Sequence, residues 1–151
     1  MTLYLVSCVS KKGGSPMRAE DLYQSDWFRK AHLYIQQRIQ EGDSWYILSA
    51  KYHLIAPHRV LPPYNQTLLK MGLRERQEWA SKVLPQIQTL LTTGDQIVFL
   101  AGEHYREFLE PVLKGQGYKV SVPMRGLGIG RQLEWLSIQI RSVQKKTLWE
   151  E

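Results

Sequence analysis

The chain is 151 residues long, 43% hydrophobic and 23% charged, enough for one domain with a sizeable core and ordinary for a soluble globular protein. No apolar run approaches the roughly 20 residues of a membrane helix, and the start, MTLYLVSCVSKK, has no basic region ahead of its short apolar run, so it does not read as a signal peptide. Lys and Arg number 20 against 14 Asp and Glu, a formal +6 with a pI near 9.5; that excess suits an anionic partner, nucleic acid first among them, although many basic proteins bind none.

The first β-like run is TLYLVSC (2–8), nearly all apolar, as expected of a strand covered on both faces. Cys8 is the single cysteine. That excludes an internal disulfide and a cysteine-based zinc site and fits a reducing, cytoplasmic setting. The loop that follows, SCVSKKGGSP, offers Ser7, Lys11 and Lys12 beside a glycine pair. It reads either as an anion-binding loop or as a polar turn with two solvated lysines, and it lacks the P-loop spacing.

Ser25 caps a predicted helix to about Gln40, with Trp27, Phe28, Ala31, Tyr34, Ile35 and Ile39 on one stripe. The second strand is WYILSA (45–50). A long segment without periodicity follows, SAKYHLIAPHRVLPPYNQTL, carrying three of the chain's seven prolines. Long ordered loops in compact domains are often functional. Here Ser49 and Lys51 stand at the strand end. Tyr64 is placed to stack on a base and Asn65 to pair with a base edge; Asn65 reads equally well as a turn or cap residue.

Residues 73–92 are helical in pattern, with Pro85 implying a kink or a break. The third strand, QIVFLAG (96–102), leads into a shorter helix over 103–114 that Pro111 disturbs near its end. Glu103 and His104 open that helix. A carboxylate beside a histidine at a strand end is a candidate acid–base pair, and Glu103 can also simply complement the helix dipole. The fourth strand, YKVSVP (118–123), runs into MRGLGIGRQ and a last helix over 130–144. Arg125, Gly126, Gly128 and Arg131 at a helix N-terminus suit a phosphate. The spacing is G-x-G-x-G after the last strand, not G-x-G-x-x-G after the first, so no nicotinamide or flavin cofactor is expected. The four histidines show no ligand-like spacing with carboxylates, so no metal is expected.

Strands alternating with helices predict an α/β fold: three layers, with a short, mainly parallel four-stranded sheet and helices on both faces. One domain is expected over 1–144, with a tail at 145–151. In such sheets ligands bind at the carboxyl ends of the strands, which directs attention to the loops just described.

Six motifs in order, LVSCVSKK, A-x-DLY-x-S-x-x-F, WYILSAKYHLI-x-P, PYNQTL, LAGEHYREFL and GLGIGRQLEWL, resemble an uncharacterised bacterial and phage family, a domain of unknown function. The resemblance covers nearly the whole chain and implies no settled activity. It places His53 where that family more often has glycine. More distantly, the layout resembles the uracil-DNA-glycosylase-like fold, which implies base-reading and phosphate-clamping loops at the strand ends. This chain departs from that fold's water-activating motif, with SCVSKK in its place, and from its His-Pro-Ser loop, with MRGLGIGR in its place. Both departures separate this chain from that fold's base-excision chemistry.

Three functions are therefore expected to compete. The first is an enzyme acting on a base or its N-glycosidic bond in nucleic acid or a nucleotide. In it Lys11, Lys12, Arg125 and Arg131 hold phosphate, Tyr64 and Asn65 hold the base, and Glu103 or His104 orients water or stabilises charge. The second is a non-catalytic module that binds nucleic acid or a nucleotide through the same residues. The third is an enzyme of a small phosphorylated metabolite, which needs the anion site but no broad basic surface.

Overall fold

The computed structural model describes residues 1–9 and 12–150, and the side chains of all of these except 145–150. Four strands form where apolar, β-branched and aromatic residues cluster: β1 (Thr2–Ser7), β3 (Ser44–Ser49), β6 (Gln96–Leu100) and β7 (Lys119–Ser121). A three-residue strand, β4 (His53–Ile55), makes the sheet five-stranded, in the order β4-β3-β1-β6-β7. β4 runs antiparallel to β3 and the other pairings are parallel. Two short strands, β2 (Met17–Arg18) and β5 (Val60–Leu61), pair with each other outside that sheet.

The helices are α1 (Ala19–Leu22), α2 (Asp26–Arg38), α3 (Leu73–Gln88), α4 (Glu103–Arg106), α5 (Glu110–Gly115) and α6 (Ile129–Glu150), with a 3₁₀ turn at Leu68–Lys70. Ser25 caps α2 as expected: its Oγ accepts from the Phe28 N–H at 3.1 Å. The chain leaves β1 for β3 on one side and then crosses back over β1 to β6. Right-handed crossovers in opposite directions put their helices on opposite faces. Accordingly α2 packs against α6, and α3 packs against β4 and α4. The core lies on both sides of β1, whose Leu3, Leu5 and Val6 are completely buried.

The structure corrects four local expectations. The sheet has five strands, not four, because β4 folds back on β3 through a turn in which His53 takes a left-handed conformation, φ +66°. Such a turn gives no periodic signal, and glycine is the residue that fits it without strain. Pro85 does not split α3, which continues through it to Gln88. The proline sits in the last turn, where only one backbone hydrogen bond is lost. Pro111 opens α5 instead of spoiling the end of a longer helix, since proline's fixed φ suits a first turn. Finally, α6 continues to Glu150, beyond the expected end at 144.

Candidate functional site

β1 is the point at which the strand order reverses, with β3 on one side and β6 on the other. Loops leaving the carboxyl ends of β1 and β6 must part there, which opens a crevice. The crevice is present: a cleft of about 540 Å³ sits over the ends of these two strands. Ser7 at the end of β1 and Cys8 just after it, with Gly102, His104 and Tyr105 after β6, form its floor. The first turns of α2 and α6 contribute Trp27, Ile129 and Gln132, and the 3₁₀ segment contributes Thr67 and Leu69. Its surface is mainly apolar with a few polar groups, the usual make-up of a small-molecule site. Leu69 and Ile129, at its lips, are 71% and 64% exposed.

The floor is rigidly built. Cys8 Sγ lies 3.2 Å from the Tyr105 hydroxyl, which also accepts from the Leu68 N–H at 3.3 Å. Burial, reinforced by the neighbouring Cys8, holds the Tyr105 phenol well above its ordinary range. The Tyr105 ring meets Trp79 edge-on at 5.7 Å, and the Trp79 indole N–H donates to the Ser49 carbonyl at 2.9 Å. Ser49 belongs to a second buried cluster. Its Oγ lies 2.7 Å from the Tyr64 hydroxyl, which is hydrogen-bonded in turn to Tyr23. Lys12 Nζ stands 4.3 Å from the centre of the Tyr64 ring. Burial lowers the Lys12 pKa and raises those of Tyr23 and Tyr64.

Beside the cleft, between β6, β7 and the glycine-rich turn, lies a second pocket of about 180 Å³. Gly102 and Gln132 line both cavities. The Gln132 side chain is held at both ends: it accepts from the Trp27 indole N–H and donates to the Leu127 carbonyl, each at 2.8 Å. It thus ties α2 to the turn. Behind this pocket Glu110 is buried, with three cations on one carboxylate: Arg106 at 3.3 Å, Lys114 at 3.0 Å and Arg125. Burial would raise the Glu110 pKa, but the hydrogen bonds and charges of Arg125 and Lys114 outweigh it and hold the carboxyl below its usual range.

In the turn itself only Gly126 needs to be glycine, with φ +78°; Gly128 has an ordinary backbone and open space around it. Gly126→Ala is therefore expected to cost about 1 kcal/mol in chemical denaturation, whereas Gly128→Ala should stay within about 0.5 kcal/mol of the parent. Equal costs at the two positions would contradict this account of the turn.

The residues singled out from the sequence divide among several places. Ser7 and His104 line the cleft, and Glu103 and Gly126 line the smaller pocket. Glu103 and His104, neighbours in the chain, thus serve different cavities. Lys12, Ser49 and Tyr64 meet in the hydroxyl cluster. Because Tyr64 is hydrogen-bonded there and met edge-on by Tyr23 and Tyr52, its ring is packing, not an open stacking surface. Arg125 is committed to Glu110. Lys51, Asn65, Gly128 and Arg131 are exposed and line neither cavity. Lys11 lies outside the described residues. Among the described residues no group of three or more His, Cys, Asp or Glu side chains could hold a metal.

Sequence reasoning missed Trp27, Thr67, Leu69, Arg106, Ile129 and Gln132 as site residues. For Thr67, Arg106, Ile129 and Gln132 a signal existed, since they stand in the motifs PYNQTL, LAGEHYREFL and GLGIGRQLEWL, whereas Trp27 falls at an unspecified position of A-x-DLY-x-S-x-x-F. Compared with family models, residues 3–138 match a family of unknown function, DUF6884. No curated protein and no solved structure matches the chain.

Proposed function

The chain belongs to the DUF6884 family of unknown function, and we propose that it binds a nucleotide, free or displaced from a nucleic-acid strand, with the base in the switch-point cleft. The observation that carries this reading is the cleft's pair of exposed apolar lips, Leu69 and Ile129, in a lining that also holds Ser7, Thr67 and His104. A nucleobase is flat and apolar on its faces and polar at its edge. Apolar lips cover the faces, and hydroxyl and imidazole groups meet the edge. The chain's net +6 suits the attached phosphate.

The test is titration of the protein with nucleosides, nucleotides and short oligonucleotides, followed by calorimetry or by NMR shifts of cleft residues. A dissociation constant of about 1 mM or tighter is expected for at least one nucleoside. Leu69→Glu and Ile129→Glu should each weaken it about tenfold. Both positions are exposed, so stability should hold within about 0.5 kcal/mol. If no nucleoside or nucleotide binds, or if the lip substitutions leave binding intact, the reading falls.

One observation favours a catalytic version. His104 Nδ1 lies 3.6 Å from Glu107 Oε1, too long for a hydrogen bond, and Glu107 accepts from Arg76 Nε instead, so among the described residues the imidazole at the cleft is not tied to a carboxylate and can exchange a proton with a ligand. Release of free base from nucleosides or from modified oligonucleotides, lost in His104→Gln at ligand concentrations that saturate the variant, would establish it.

A further inference from the structure

We propose that the smaller pocket, between β6, β7 and the glycine-rich turn, is an anion subsite for the phosphate of the same nucleotide; this rests on reading the larger cleft as the base site. The two cavities adjoin, sharing Gly102 and Gln132. The larger has room for a ring system, whereas the smaller, at about 180 Å³, suits a compact group such as phosphate.

Charge decides which compact group. Glu110 is one carboxylate facing three cations, Arg106, Lys114 and Arg125, which leaves a surplus of two positive charges. Glu103 also lines the pocket and reduces the surplus to one. Glu107 is engaged elsewhere, accepting from Arg76 Nε at 2.7 Å. Arg106 both belongs to the cluster and lines the pocket. Its side chain is 12% exposed. It gives Nε to the Ala101 carbonyl and Nη1 to Glu110, and a guanidinium carries five N–H donors. Among the described residues no partner takes the Nη2 donors, which therefore remain for charge-assisted hydrogen bonds to a ligand oxygen. A neutral ligand would leave the surplus uncompensated, and a cation would add to it.

This placement also changes the role of the turn's arginine. Arg125 does not clamp phosphate as a free side chain; through Glu110 it contributes to the positive field into which Arg106 projects.

The test compares a nucleoside, its 5′-monophosphate, its 3′-monophosphate and inorganic phosphate as ligands of four proteins: the parent, Arg125→Gln, Glu103→Gln and, as a control of equal charge change away from the pocket, Lys51→Gln. Arg125 and Lys51 are exposed, and melting curves verify that each variant folds. In the parent, one of the monophosphates is expected to bind about tenfold or more tightly than the nucleoside, the scale of one charge-assisted contact. Arg125→Gln should reduce that advantage at least about threefold, Glu103→Gln should increase it, and Lys51→Gln should leave it unchanged. Inorganic phosphate should compete with the monophosphate but not with the nucleoside.

Nucleoside binding with no advantage for either monophosphate would overturn the subsite while sparing the base site. An advantage that Lys51→Gln reduces as much as Arg125→Gln does would overturn the placement, since general surface charge would then explain it. Failure of nucleoside and monophosphates alike would remove the base reading itself.

Discussion

Glu110→Gln is expected to cost the fold about 2 to 3 kcal/mol at neutral pH, measured by urea denaturation. Breaking a buried ion pair leaves its partner charge unsatisfied and costs roughly 3 kcal/mol or more. Two of the three cations soften the loss, because Lys114 and Arg125 are about half exposed, at 53% and 51%, and can turn to water. Arg106, 12% exposed and tied to the Ala101 carbonyl, cannot. Lys114→Gln is the contrasting case: it removes an exposed member of the cluster and should change stability by less than about 1 kcal/mol. A Glu110→Gln loss no larger than that of Lys114→Gln would mean that the carboxylate does not organise this end of the sheet.

The same substitution has a pH signature. The Glu110 pKa is lower in the fold than in the unfolded chain. Its contribution is therefore fully present above the unfolded value of about 4.3 and is lost as pH falls through the lower folded value. The stability gap between parent and variant should be flat from neutral pH down to about 4.5 and close below that. Asp95 will keep some acid sensitivity in both proteins. Its carboxylate accepts from the Thr92 backbone N–H and from the Met1 ammonium, and these hydrogen bonds lower its pKa too. A gap that narrows with rising pH instead would contradict the sign assigned to Glu110.

What could be read from the sequence was what depends on neighbours in the chain. β1, β3 and β6 are near-continuous apolar runs, and α2 has both a serine cap and a helical stripe, so local composition sufficed to place them. Their alternation then directed attention to the strand ends, because a parallel sheet with right-handed crossovers follows from it, whereas the order of the strands does not. The identities of most site residues did not follow. Leu69 and Ile129 look like any core aliphatic in a sequence, which records apolarity but not exposure. Arg125 looked like a free phosphate ligand because its partner, Glu110, lies 15 positions away on another element. Tyr64 looked like a stacking surface because its neighbours Tyr23 and Ser49 arrive from separate segments. β4 escaped because three residues and a left-handed histidine carry no period.

Trp27→Ala is expected to be the most damaging single change in the site, because this residue joins the core to the larger cleft and, through Gln132, to the smaller pocket. Its side chain is 7% exposed, and truncating a buried tryptophan costs about 3 to 5 kcal/mol. For a chain of this size that corresponds to a fall in Tm on the order of 10 °C. Trp27→Phe separates the packing from the hydrogen bond. Phenylalanine refills most of the volume but donates nothing to Gln132 Oε1. Because Gln132 is only half-buried, its amide can turn to water, and the stability cost should be about 1 kcal/mol. The functional cost should be larger in proportion. Gln132 forms the wall between the two cavities, and its other end steadies the Leu127 carbonyl in the glycine-rich turn. Freed at the Trp27 end, it no longer fixes the spacing between base and phosphate positions. Trp27→Phe should then leave nucleoside binding within about threefold of the parent and abolish most of the monophosphate advantage, since geometric misplacement penalises a two-point ligand more than a one-point ligand. Equal losses for nucleoside and monophosphate would show that Trp27 shapes the base site only and that Gln132 does not couple the cavities.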